Sequence, residues 1–191
     1  FELHSPQIEL GTYEGVGWRN CVAIVRGVFP LSLDGGGKDA AVMYGGWLDH
    51  SWFFTYLTGQ TEGSVAGTPS AFGWSIGATT GSLPADGSAM WQGVMLVGET
   101  GRRELLLGDA VLTADFHTAN FDIAFTNIRD TDTGARRPAI RYSNVPLGGG
   151  GFARRVGGDT IAGTFYGPSH LEIGGAFEHG TAIGVFAATR R

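Results

Sequence analysis

A chain of 191 residues with 42% hydrophobic content is long enough to bury a proper core, arranged as one large or two small domains. Its 13 basic side chains, only one of them lysine, stand against 18 acidic ones, and a net charge of −5 lacks the electrostatic footprint of a nucleic-acid binder. Glycine, at 33 residues with no three-residue period, excludes collagen and favours a turn-rich, all-β chain.

Residues 1–15 give weak signals and read as an extended polar arm. The chain opens at Phe1 rather than Met, and no apolar stretch approaches a membrane span. A processed or truncated product is the expectation, with any membrane contact made only through an anchor outside these residues. From Val16 to Phe29 the residues turn β-branched and apolar, and Pro30 is expected to limit further pairing. The single Cys21 lies in this run, has no Cys or His partner at metal-site spacing, and reads as a buried inert thiol. Residues 34–39, Asp-Gly-Gly-Gly-Lys-Asp, lack the Ser/Thr and the glycine spacing of a phosphate loop and read as a solvated connection.

Residues 44–56 are the most aromatic part: Tyr44, Trp47, Trp52, Phe53, Phe54 and Tyr56, with Asp49, His50 and Ser51 between. Two strands around an Asp-His-Ser turn account for the pattern, a short helix being the alternative. Six aromatics exceed what one buried strand face holds, so part of them forms either an exposed contact patch or the seam between two subdomains. A Gly/Ser/Thr-rich stretch follows, interrupted by one strand-like piece at 71–78, and residues 80–87 are the best candidate boundary. The division is 1–81 and 82–191.

Beyond the boundary, strand-like runs at 89–97, 104–107, 110–116, 120–128, 140–145, 160–166, 170–177 and 182–189 suggest a small up-and-down barrel or a sandwich. Phe121, Ile123 and Phe125 alternate with polar neighbours, the clearest period of two in the chain. In the closing strands Leu171, Ile173 and Phe177 are assigned to the core face, and Glu172 and Glu178 to the wet one. Trp91, Met95, Phe121, Phe125, Phe165 and Phe177 are large enough together to fill an eight-stranded barrel and leave no ligand cavity.

Catalytic motifs are weak. Gly73-Trp74-Ser75-Ile76-Gly77 matches a nucleophile elbow, but that device needs a following helix, which residues 78–84 cannot make. Asp49-His50-Ser51 holds triad residue types, yet adjacent strand residues point to opposite faces and do not converge. The five histidines share no short motif; His50, beside several aromatics, is a candidate axial ligand for haem, and no other cofactor or metal is expected. Arginine pairs at 102–103, 136–137, 154–155 and 190–191 read as solvated hairpin tips.

The closing stretch Gly163-Thr-Phe-Tyr-Gly-Pro-x-His-x-Glu-Ile-Gly-Gly-Ala-Phe177, followed by Ile183-Gly-Val-Phe-Ala-Ala-x-Arg190, resembles the C-terminal signature of the transferrin-binding protein B-like β-barrel family. Residues 87–95, 108–116 and 122–128 are also similar to that family, and Tyr44-Gly-Gly-Trp-Leu-Asp-His-Ser51 resembles its "handle" subdomain. The resemblance implies an all-β chain, a small N-terminal β handle followed by an eight-stranded antiparallel up-and-down barrel. It implies structural roles for Gly163, Phe165, Tyr166, Gly167, Pro168, Glu172, Gly174, Gly175 and Phe177. It also implies a non-enzymatic binding protein of the bacterial surface, periplasm or exterior, of the iron- or haem-acquisition type, with a protein or small nutrient ligand as partner. Tyr44, Trp47, Asp49, His50, Trp52, Phe53 and Phe54 are then the candidate partner-binding residues. A structural subunit of a surface layer or filament, or a carrier of haem or another small ligand, are the alternatives.

Overall fold

Thirteen strands and one short 3-10 turn account for the regular structure of the computed structural model, which describes residues 13–19, 22–32, 38–58, 71–81, 83, 86–99 and 105–191. Strands β1 (Tyr13–Arg19), β2 (Val22–Ser32), β3 (Lys38–Trp47), β4 (Ser51–Leu57) and β5 (Ala71–Gly77) form one antiparallel sheet in chain order. Strands β6 (Ser88–Glu99), β7 (Leu105–Asp115), β8 (Asn120–Asp130), β9 (Ile140–Gly148), β10 (Gly151–Val156), β11 (Asp159–Tyr166), β12 (Glu172–His179) and β13 (Ala182–Arg190) form a closed antiparallel barrel, with β13 pairing back to β6. This is the handle-and-barrel architecture expected from the sequence.

Alternation decides what fills the barrel. On β8, Phe121, Ile123 and Phe125 point inward, where they meet Trp91 and Met95 of β6, Phe165 of β11, and Phe177 and Phe186 of β12 and β13. Phe125 stacks on Phe177 at 4.5 Å, and Trp91 lies 5.4 Å from Phe165 and 6.0 Å from Phe121. An eight-stranded barrel is just wide enough for such side chains, so the interior is a packed core. Each such residue contributes roughly 1.5–3 kcal/mol by leaving water. One end is closed by the 3-10 turn Pro168–His170, whose His170 carbonyl accepts the Trp91 indole N–H at 2.9 Å.

A second core lies outside the barrel wall. Val94 and Leu96 of β6, Leu105 of β7, and Val185 and Ala187 of β13 point outward and are covered by Val22, Ile24, Val42, Tyr44, Phe53 and Leu57 of the handle sheet. The handle therefore uses one face of its sheet on the barrel and turns the other away.

Several strand assignments from sequence need correction. The two runs expected at 104–107 and 110–116 are, over the described residues, the single strand β7 (Leu105–Asp115), divided in the sequence by Gly108, where the pairing with β8 shifts register. Strand β10 was absent from the expected set, because glycine-rich turns bracket it and Arg154-Arg155 resembles a tip. The expected run 16–29 is two strands, and Pro30 does not end pairing: Pro30, Leu31 and Ser32 pair with Ala40, Asp39 and Lys38. Lys38 and Asp39, expected in a loop, open β3. Leu171, expected in the core, is exposed and precedes β12. Residues 1–12, Cys21, 34–37 and the Arg102-Arg103 pair lie outside the described residues.

Candidate functional site

The aromatic segment 44–56 folds as the β3–β4 hairpin, with Trp47 opposite Trp52 and the turn at Leu48, Asp49 and His50. A hairpin sends alternate residues to opposite faces, so the six aromatics divide. Tyr44 and Phe53 enter the second core against the barrel. Trp47 (57% exposed) and Trp52 (47%) lie on the outer face, with Phe54 and Tyr56 half-buried beside them. The contact patch and the intersubdomain seam are thus the two sides of one hairpin.

Strand β5 extends the outer face with Trp74 (40% exposed) and Ile76 (45%), paired opposite Phe54 and Trp52. The rings form a ladder: Trp52 on Phe54 at 5.1 Å, Phe54 on Trp74 at 5.3 Å, and Trp74 on Tyr56 at 5.3 Å. A depression of about 340 Å³, lined by Met43, Gly45, Gly46, Trp47, Trp52, Phe53 and Phe54, lies at the hairpin end. Rigid aromatics held partly in water are the surfaces that protein partners bury most profitably, because few rotamers are lost. Trp74 and Ile76 were missed from sequence. Their signal was the strict alternation Gly-Trp-Ser-Ile-Gly, which resembled a nucleophile elbow.

The small residues of that motif face the barrel. A Cβ on Gly73 would strike the Val185 side chain, and one on Gly77 would strike the His50 carbonyl and the Tyr166 ring. The glycines let β5 lie close on the wall. Ser75 forms a hydrogen bond with the Tyr166 hydroxyl at 3.1 Å, and among the described residues no helix lies between β5 and β6. Burial raises the Tyr166 phenol above its ordinary pKa, with the Ser75 contact lowering it less, so the phenol is protonated at neutral pH and is no base for the serine. Among the described residues no group of three His, Cys, Asp or Glu is arranged to hold a metal.

Glu172 is the largest departure from the sequence reading. Assigned there to a wet outer face, it is 1% exposed, because that face of β12 lies under the handle. Its Oε1 accepts the backbone N–H of His50 at 2.9 Å and its Oε2 accepts the Ser51 hydroxyl at 2.7 Å. His170, two residues before it, is buried in the barrel mouth against Phe116 and Phe165. Gly167, at φ 72°, leaves room for the His50 imidazole against its backbone, where any side chain would collide with the ring. Pro168 follows at the start of the 3-10 turn. Asp49 stays exposed at the hairpin turn. His50 and Ser51 thus dock the handle on the barrel, while Trp47 and Trp52 beside them face away.

No protein-family model matches the chain, and no curated protein matches it in sequence. Solved structures do. A crystal structure of a surface lipoprotein superposes with a TM-score of 0.53 over 75% of this chain and 77% of that one, at 14% identity. Intact Ap-TbpB, with its N and C lobes, matches with a TM-score of 0.53 over 86% of this chain at 16% identity. A transferrin-binding protein B variant from Haemophilus parasuis Hp5 matches with a TM-score of 0.53 over 93% of this chain at 18% identity. The fold is that of a transferrin-binding protein B lobe. The chain spans 38% of the length of those last two proteins. Within the lobe fold, Gly163 and Gly175 face the barrel interior, where Phe152 and Phe186 fill the space their missing side chains leave. Gly174 faces outward beneath Ser75 and Tyr166. Phe165 and Phe177 are core, and Tyr166 is the outward residue that meets the handle. No described helix is long and apolar enough to cross a membrane.

Proposed function

We propose that this chain is a non-enzymatic binding protein of the bacterial surface or exterior, and that the outer face of its handle receives a protein partner. The observation that carries the reading is the ladder Trp52–Phe54–Trp74–Tyr56, held in water by a sheet whose other face is committed to the barrel. An exposed contiguous aromatic surface costs solubility unless something covers it in use. The likeness to transferrin-binding protein B lobes supports an iron-carrying host protein as the first partner to try.

The test passes iron-loaded and iron-free transferrin, then a panel of other serum proteins, over the immobilised protein and its Trp47→Ala/Trp52→Ala variant. Saturable binding that weakens roughly thirtyfold or more in the variant, with unfolding midpoint and circular dichroism unchanged, is the expected result. Equal retention by the folded variant overturns the aromatic face as the site. A parent oligomer that the variant converts to monomer, read by light scattering, reassigns the face to contacts between copies.

A further inference from the structure

The barrel wall is not uniformly laced. Strands β9 and β10 pair only beside their turn, Gly148 with Gly151 and Leu147 with Phe152. Beyond that point Ala153, Arg154, Arg155 and Val156 pair with β11 alone, and Ile140, Arg141 and Tyr142 with β8 alone. The divergence has a local cause. Asn144 adopts a left-handed conformation, φ 55°, and gives its N–H to the Asp122 carboxylate at 2.9 Å, which shifts the β8–β9 register there. What spans the opening is a side chain: the Arg154 guanidinium donates to the Ser143 carbonyl. A cavity of about 140 Å³ between the strands is lined by Arg141, Tyr142, Arg154, Val156 and Asp159. Next to it, at the turn end, Pro146, Leu147, Phe152, Ala153 and the surrounding glycines line an open depression of about 430 Å³.

Charge on the strands that flank the seam opposes that of the whole. Residues 140–148 and 151–156 carry Arg141, Arg154 and Arg155 and no acidic residue, in a chain of net charge −5. Arg141 is exposed, and Val156 is 56% exposed although it ends a strand. Two carboxylates face the rim from β11 and β12: Asp159, bound by His179 Nδ1 at 2.9 Å and the Gly180 N–H at 3.2 Å, and Glu178, so the three arginines outnumber them. On the opposite side of the barrel the wall is covered by the handle, so this seam faces away from the aromatic site.

We propose that the β9–β10 seam is a docking slot for an extended acidic segment of a partner protein, which adds to the barrel wall as a strand. Unladdered strand edges are templates for such pairing, and closed barrels normally have none. The incoming backbone takes the edge groups of β10 and the Ser143 carbonyl. Arg154, released from that carbonyl, and Arg141 then bind carboxylates, for which the guanidinium fork is suited. An apolar residue of the segment fits the depression at Leu147 and Phe152, and an acidic residue two to four positions away meets the arginines, at roughly 3.3 Å per residue along a strand.

The probe is a blocked decapeptide alternating valine with glutamate, titrated into the full chain and followed by amide NMR and hydrogen exchange. Saturable binding is expected, with slowed exchange at Ala153–Val156 and shifts at Ser143 and Asn144. The valine–lysine peptide, and the valine–glutamate peptide with alternate amides N-methylated, should each bind at least tenfold more weakly. Arg141→Glu, an exposed change that leaves packing untouched, should weaken binding by roughly tenfold, about one charge-assisted hydrogen bond. Arg154→Gln supplies a second reading at the seam itself. Trp47→Ala/Trp52→Ala should bind the peptide as the parent does, so the seam and the aromatic face stand or fall separately. No binding at millimolar peptide, equal binding of the lysine or N-methylated peptides, or protection appearing only on the handle overturns the proposal.

Discussion

The barrel interior and the seam beneath the handle are both buried, yet they are built from different materials. Inside the barrel, large rings interlock: Trp91, Phe121, Phe125, Phe152, Phe165, Phe177 and Phe186 touch one another in tilted, stacked and edge-on arrangements. Beneath the handle, aliphatic side chains meet Tyr44 and Phe53 over glycines, and a buried carboxylate, Glu172, sits at the end where the β3–β4 turn arrives. A closed barrel fixes its own geometry by backbone pairing, so its interior has only to be filled. Two sheets lying on each other are not fixed in that way, and close approach with a polar lock sets how they sit.

Removing material from each core should separate the two. Phe125→Ala opens a cavity among Phe177, Phe186 and Tyr142 and should cost about 3–5 kcal/mol, measured by chemical denaturation as loss of barrel and handle together. Glu172→Ala strands the His50 N–H and the Ser51 hydroxyl in a dry seam and should cost about 2–3 kcal/mol. Its signature differs: hydrogen exchange at β3 and β4 should speed up while the barrel amides stay protected, the handle opening as a unit of its own. Glu172→Gln, which keeps acceptors in place, should cost less than half as much. A single cooperative transition in Glu172→Ala, with the handle as protected as the barrel, would contradict a distinct seam.

The smallest effect is expected away from both cores, in the β8–β9 connection. Asp130 accepts from the Thr133 N–H and hydroxyl and from the Asp132 N–H, and these bonds, those of Thr133 foremost, hold its carboxyl below the usual carboxylate range. A group with a lowered folded pKa stabilises the fold above its unfolded pKa and loses that contribution as pH falls through the folded value. Asp130→Asn should therefore cost on the order of 1 kcal/mol at pH 7. The gap between variant and parent should close as the pH is taken below about 4, read from unfolding midpoints across a pH series.

How much of this was legible in the sequence follows from which constraints are local. Alternation on β8 and the closing strands is a property of each segment, so the barrel and its inward residues could be read directly. The count of eight strands was correct through two offsetting errors, since the bulge at Gly108 divided β7 while β10 was hidden between glycine pairs. Trp47 and Trp52 were identified as candidates from their density, and the structure exposes them. Trp74 and Ile76 were not, because their partners across the sheet, Phe54 and Trp52, are distant in the chain. Glu172 misled for a more general reason: a polar residue on the outer face of a barrel strand implies water only when nothing else covers the strand. The handle that covers it is encoded more than a hundred residues upstream.

The exit from the handle has a mechanical consequence. After β5, the Ala78 carbonyl accepts the Gly167 N–H at 2.9 Å, the Thr80 N–H reaches the Phe165 carbonyl at 2.9 Å, and the Thr80 hydroxyl reaches the Gly167 carbonyl at 2.6 Å. The connection is stitched to the end of β11 rather than hung between the two bodies as a tether. A tug on the handle is then spread over several bonds strained at once and carried into the closed wall of the barrel.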